Sequence, residues 1–231
     1  MSNKIKVLSF DLDDTLWPCL PTIEYAEEVL YQWLSEHVSC ITQQYTKQQL
    51  REKRLLLLKQ HSELAHDLTQ LRILSFEQLA LEFKTTHSWM QPAFEIFHDA
   101  RQQVTLFDDV APVLDKLNAD YQLVSVTNGN ASTIKTGVDH WFDFALNSAS
   151  VGKQKSEPDI YRQVQKLTQV DASQMVHIGD SPAQDISGAK LAGAHAIWLN
   201  RQNEMWSLKN CKPDVTIVTL LELPEAIMSL E

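Results

Sequence analysis

The sequence predicts an α/β protein in which a mainly parallel sheet is covered by helices and interrupted by one large helical insertion. Three observations carry this. After Pro112, short apolar runs alternate with amphipathic stretches, the pattern of βαβ units. An earlier apolar run over residues 4–10 ends abruptly in Asp-Leu-Asp-Asp-Thr, as a buried strand ends in a polar loop. Between these, residues 22–91 contain neither glycine nor proline, and all six glycines (129, 137, 152, 179, 188 and 193) follow residue 128.

In chain order, the first strand is expected over 5–10. The glycine-free stretch that follows repeats apolar residues at helical intervals, as in Ile23, Ala26, Leu30, Trp33, Leu34, Val38 and Ile41. A Ser75-Phe-Glu-Gln78 capping box is expected to open one helix, with Leu79, Ala80 and Phe83 on one face, and another helix is expected after Pro92. The run from Leu55 to Leu58 reads as a helix contacted on two sides. Further strands are expected at 123–127, 144–146, 175–178, 196–199 and 215–218, with helices at 110–118, 157–168, 183–192 and 221–230. The gap between the first two strands exceeds an ordinary crossover many times over. It divides the chain into a core of 1–16 with 104–231 and a helical insertion of 17–103.

Thirty acidic against twenty basic residues give a net charge of −10, which argues against nucleic acid and anionic membrane surfaces as partners. No apolar stretch approaches the ~20 residues of a membrane-spanning helix. Three scattered cysteines without a CxxC pair suit a reducing, cytoplasmic setting, and the mature chain is expected to start near Met1.

Ligands of open α/β sheets bind beyond the carboxyl ends of the strands. There the sequence places Asp11, Asp13 and Thr15, then Thr127, Asn128 and Gly129, then Gly179, Asp180, Ser181 and Asp185, with Lys155 following the strand at 144–146. Converging aspartates require a compensating charge. A hard divalent cation with oxygen ligands supplies it, Mg²⁺ being the commonest, and such a site suits a phosphorylated ligand. The histidines are scattered with no HExxH, and neither GxxxxGK[ST] nor GxGxxG occurs. His177 reads as a packed strand residue, whereas Trp17, just after the first motif, is a candidate for lining the cleft.

These residues resemble the motifs of the haloacid dehalogenase-like hydrolase superfamily. Asp11-Leu12-Asp13-Asp14-Thr15 matches DxDx[TV], Thr127 matches the hydroxyl residue of the second motif, Lys155 in Lys-Ser-Glu-Pro matches the lysine motif, and Gly179-Asp180 through Asp185 matches the acidic fourth motif. Lys155-Ser156-Glu157-Pro158 departs from the commoner Lys-Pro-Asp-Pro, so Lys153 competes with Lys155. The resemblance implies a three-layer Rossmann-like core whose insertion is the family's cap domain. It implies Asp11 as a nucleophile ionised at neutral pH, Asp13 as general acid and base, and Lys155 as a third catalytic group. Thr15, Thr127, Asn128 and Lys155 would bind the substrate phosphate. Mg²⁺ would be held by Asp11, Asp13 through its backbone carbonyl, Asp180, and Asp185 directly or through water. The implied activity is hydrolysis of a small phosphate monoester, such as flavin mononucleotide or a ribityl-pyrimidine, sugar or nucleoside monophosphate. A 2-haloacid dehalogenase needing no metal, a phosphomutase and a catalytically idle phospho-binding module are the alternatives.

Overall fold

Six parallel strands form one sheet in the order β3-β2-β1-β4-β5-β6, with β1 at Val7–Phe10, β2 at Gln122–Thr127, β3 at Phe144–Asn147, β4 at Met175–Gly179, β5 at His195–Leu199 and β6 at Val215–Ile217. This is a computed structural model, and it describes residues 4–231, so the expected start of the mature chain at Met1 lies outside them. The helices are α1 (Cys19–His37), α2 (Ser39–Gln44), α3 (Lys47–Gln60), α4 (Leu68–Phe83), α5 (Met90–Arg101), α6 (Val110–Leu117), α7 (Thr133–Thr136), α8 (Ser148–Val151), α9 (Asp159–Thr168), α10 (Ser187–Leu191) and α11 (Leu223–Met228). The α/β class and the strand positions agree with the apolar runs to within a residue or two.

The sheet is buried on both faces because alternate side chains of each strand enter different clusters. From β1 and β4, Leu8, Phe10, Val176 and Ile178 pack with Leu114 and Ile227 on one side, while Val7 and Met175 pack with Ile160, Tyr161 and Val164 on the other. The chain runs outward through β2 and β3, then returns to lay β4 against β1. The direction reverses at β1, so the loops after β1, β2 and β4 open onto one crevice.

Between β1 and β2 the helices α1 to α5 form a cluster of their own, in which Ala26, Leu30 and Leu34 of α1 meet Phe76, Leu79 and Ala80 of α4 and Ala93, Phe97 and Ala100 of α5. Three details of this region correct the sequence reading. Ser75 lies inside α4, whose first turn is capped by Asp67 accepting from the Gln70 N–H, and the Ser75 hydroxyl turns back on the Arg72 carbonyl. An N-cap accepts from free N–H groups of the residues that follow it, and those of 76–78 are already taken by carbonyls one turn back in the running helix. The helix expected after Pro92 begins at Met90, with Pro92 in its first turn, where its missing N–H costs nothing. Of the four leucines from Leu55 to Leu58 only Leu57 is fully buried, while Leu55 and Leu56 face solvent, so α3 is contacted along one side. No helix among the described residues is long and apolar enough to cross a membrane.

Candidate active site

Asp11 follows β1 directly, and its backbone N–H is held by the Ile178 carbonyl of β4. Lys155, in the segment between α8 and α9, is buried and reaches two carboxylates: it bonds Asp11 Oδ1 and lies 2.6 Å from Asp185 Oδ1. The competitor Lys153 is exposed and pairs with Glu157. Asp185 is fully buried, with His177 Nε2 3.1 Å from Oδ1 and the Ser181 N–H donating to Oδ2 at 2.8 Å. A Cβ on Gly179 would fall 2.3 Å from Asp185 Cγ, and one on Gly188 would fall 1.7 Å from the Lys155 carbonyl. The two glycines therefore let the fourth-motif loop and α10 close on the carboxylate and the lysine.

Carboxylate oxygens of Asp11, Asp180 and Asp185 lie within 4.8 Å of one another. The Asp13 carboxylate stands apart from them. It accepts from Trp17 Nε1 at 2.9 Å and from Arg101 Nη2, which lies 2.6 Å from both oxygens. Asp11, Asp13, Thr127, Asn128, Lys155 and Asp180 line a cavity of ≈ 410 Å³, with Leu58, Ala65 and Leu68 of the inserted segment also on its wall.

Thr127 Oγ1 accepts from the Gly129 N–H at 2.9 Å. The Asn128 side chain bridges, with Oδ1 accepting from the Lys155 N–H and the Ser148 hydroxyl and Nδ2 donating to Gln184. Two residues near the first motif lie away from the cavity wall. Thr15 is wholly buried and its hydroxyl has no partner among the described residues, because the turn after Asp13 folds it inward: the Thr15 N–H bonds the Leu12 carbonyl. Trp17 does not line the cleft either. Its ring is buried and only its N–H reaches the site, through Asp13.

A family model described as a haloacid dehalogenase-like hydrolase matches residues 5–193. The chain belongs to the haloacid dehalogenase-like hydrolases. Over 205 residues, covering 87% of this hydrolase and 86% of the relative, it is 26% identical to 5-amino-6-(5-phospho-D-ribitylamino)uracil phosphatase YigB of Escherichia coli (strain K12). A crystal structure described as a 2-haloacid dehalogenase from Pseudomonas syringae pv. Tomato DC3000 superimposes with a TM-score of 0.89 at 36% identity, over 98% of this chain and 100% of that one. A HAD phosphatase from Thermococcus onnurineus superimposes with a TM-score of 0.70 at 26% identity, over 96% and 97% of the two chains. Phosphatases and dehalogenases thus both stand among the relatives of this hydrolase.

The charge balance of the hydrolase's site is uneven. Lys155 stays protonated, since Asp11 and Asp185 outweigh the burial that disfavours its charge. Asp185 stays ionised, because Lys155 and His177 overcome its own burial. The surplus negative charge falls on the other two carboxyls. Burial, aided by Asp185 and Asp180 and opposed by Lys155, pushes Asp11 well above the usual carboxylate range, and burial with Asp185 pushes Asp180 to about 7. Burial, invisible in the sequence, thus works against the charge that the resemblance implies for Asp11. With all three carboxyls ionised, one ammonium leaves two negative charges over, which one divalent cation balances. The all-oxygen donors fit a hard ion such as Mg²⁺.

His177, Arg101, Ser148 and Gln184 were not singled out as site residues by sequence reasoning. For His177 a signal exists: it interrupts an apolar strand directly opposite Ser9 in the register of β1 and β4, and Ser9 Oγ lies 2.8 Å from His177 Nδ1. Nothing in the order of residues marks Arg101.

Proposed function

We propose that this hydrolase cleaves a small phosphate monoester with Mg²⁺, through an aspartyl-phosphate on Asp11. The observation that carries the reading is the cluster of Asp11, Asp180 and Asp185, short of positive charge by the amount one divalent cation provides, with Asp13 on the same cleft wall. Asp11 would attack phosphorus in line as the ester P–O bond breaks, and Asp13 would give its proton to the departing oxygen. Asp13 would then take a proton from the water that attacks the phosphoryl group, freeing Asp11 and inorganic phosphate. Thr127, Asn128 and Lys155 would hold the phosphoryl oxygens, with Lys155 offsetting the charge that gathers there. Asp11, Asp180 and the Asp13 carbonyl would hold Mg²⁺, which supplies electrostatic stabilisation of the transferring phosphoryl group. Asp185, its oxygens already engaged by Lys155, His177 and Ser181, would act by fixing that lysine.

Residues 17–103 would serve as the cap, with Leu58, Ala65 and Leu68 shielding the cleft from bulk water. Among small phosphorylated metabolites, the E. coli relative supports a ribityl-pyrimidine phosphate as the first to assay.

The second reading is a 2-haloacid dehalogenase, favoured by the 36% identical structure described under that name. Attack on carbon needs neither a metal nor a proton-donating Asp13, and the uncompensated carboxylates would be a liability for it. The deciding experiment measures release of nitrophenol from 4-nitrophenyl phosphate and of chloride from 2-chloropropionate, with Mg²⁺ and with a chelator, for wild type and Asp11→Asn. Phosphatase activity lost on chelation and in Asp11→Asn is expected. Metal-independent chloride release without phosphate release would overturn the proposal.

A further inference from the structure

Arg101 ends α5, at the point where the chain returns from the inserted helices to the sheet, and it is 1% exposed. Its Nη2 bonds both oxygens of Asp13, while Nε and Nη1 are buried without a partner among the described residues. A guanidinium buried to support the fold engages its other donors. Here the sole polar acceptor among the described residues is Asp13. The two oxygens of that carboxyl are not equivalent. Oδ1 accepts from Trp17 Nε1 as well as from Arg101, whereas Oδ2 accepts from Arg101 alone and faces Gly129, where a Cβ would come within 2.8 Å of it.

We infer that Arg101 is a positioning residue for Asp13: with Trp17 it fixes the orientation of the carboxyl on the cleft wall, Arg101 holding both oxygens and Trp17 holding Oδ1. The two connections to the inserted helices, at Trp17 and at Arg101, thereby meet on one carboxyl. The inference rests on the acid and base role proposed for Asp13.

The test uses substituted phenyl phosphates, from 2,4-dinitrophenyl to phenyl phosphate, because a poor leaving group needs the proton from Asp13 and a good one does not. The slope of log(kcat/KM) against leaving-group pKa is measured for wild type, Asp13→Asn, Arg101→Met, Arg101→Lys and the double variant Asp13→Asn/Arg101→Met. Asp13→Asn is expected to steepen the slope. Arg101→Met is expected to steepen it too, losing about tenfold more on phenyl than on 2,4-dinitrophenyl phosphate, a fraction of a full general-acid contribution. Arg101→Lys should fall between, and the double variant should be no steeper than Asp13→Asn, as for groups acting as one unit. A steep Asp13→Asn beside a uniform loss in Arg101→Met overturns the inference alone. If Arg101→Met does not fold, Arg101→Lys carries the test, and a wild-type slope there overturns the inference. No turnover of the series by wild type, or an unchanged slope in Asp13→Asn, overturns the phosphatase reading itself and the inference with it.

Discussion

His177 Nε2 and Asp185 Oδ1 lie 3.1 Å apart inside the core, with neither side chain exposed to solvent. The ionised carboxylate only accepts, so Nε2 carries the hydrogen and Nδ1 accepts from the Ser9 hydroxyl at 2.8 Å. Burial holds the imidazole below its usual range, hence neutral. The histidine orients Asp185, which orients Lys155, which meets the proposed nucleophile. His177→Phe should lower unfolding free energy by about 1–3 kcal/mol, the cost of a buried acceptor left short of a donor. It should also lower kcat more than it raises KM. Urea unfolding and steady-state kinetics check the two effects, and unchanged stability would contradict the hydrogen-bond account.

Gly188→Ala should be worse than its size suggests. The new methyl would sit 1.7 Å from the Lys155 carbonyl, a backbone atom with no freedom to swing aside. The segment carrying Lys155 or α10 must shift, at about 1–3 kcal/mol for an overpacked site. Thermal unfolding is expected to fall together with turnover. Gly137→Ala provides the contrast: nothing lies within 4 Å of its Cβ, and its positive φ alone sets the cost, with turnover unaffected.

Asp109 gives the protein a pH-dependent clasp away from the cleft. Burial opposes its charge, but Arg201, the Thr219 hydroxyl and the Leu220 N–H together hold its carboxyl below the usual range. A carboxyl lowered on folding stabilises above its unfolded pKa, and that contribution is lost as pH falls through the folded one. Asp109→Asn should therefore unfold at lower urea than wild type at pH 7, and the gap should close on acidification towards pH 3. A gap independent of pH would show that the charge is irrelevant.

Mg²⁺ and protons should compete. With Asp180 raised to about 7 and Asp11 raised as well, the metal-free site takes up protons as pH falls. A folded carboxyl raised above its unfolded value makes stability decline as pH rises through that folded value. Metal-free protein should lose stability between pH 6 and 8, and saturating Mg²⁺ should abolish that decline. The Mg²⁺ concentration at half-maximal thermal shift should rise as pH drops below 7. A midpoint independent of pH, or no shift at all, would count against metal binding by these carboxyls.

The strands and the order of their motifs were legible because a strand buried on both faces must be an apolar run, and the polar residues ending each run had nowhere to go but the crevice. The inserted helices were legible from the absence of glycine and proline over residues 22–91. Their ends were not: Ser75-Phe-Glu-Gln78 has the composition of a cap, and only the helix already running through it cancels that meaning. Thr15 and Trp17 follow the first motif closely enough to suggest the cleft, yet a tight turn buries both. The raised carboxyls of Asp11 and Asp180 and the grip of Arg101 on Asp13 arise from residues far apart in the chain, and no local pattern encodes them.

The position of β1 in the middle of the sheet has a consequence for synthesis of the protein. This strand leaves the ribosome first, yet its neighbours are β2, which starts at Gln122, and β4, which starts at Met175. At ordinary translation rates it waits roughly ten to thirty seconds for its second partner, both edges unpaired and its four residues apolar or hydroxylic. The inserted helices, with a core of their own, are complete well before that. The crevice is thus assembled late: Asp11, emerged long before, meets Lys155 across 144 residues of chain, and Asp180 and Asp185 join only after β4.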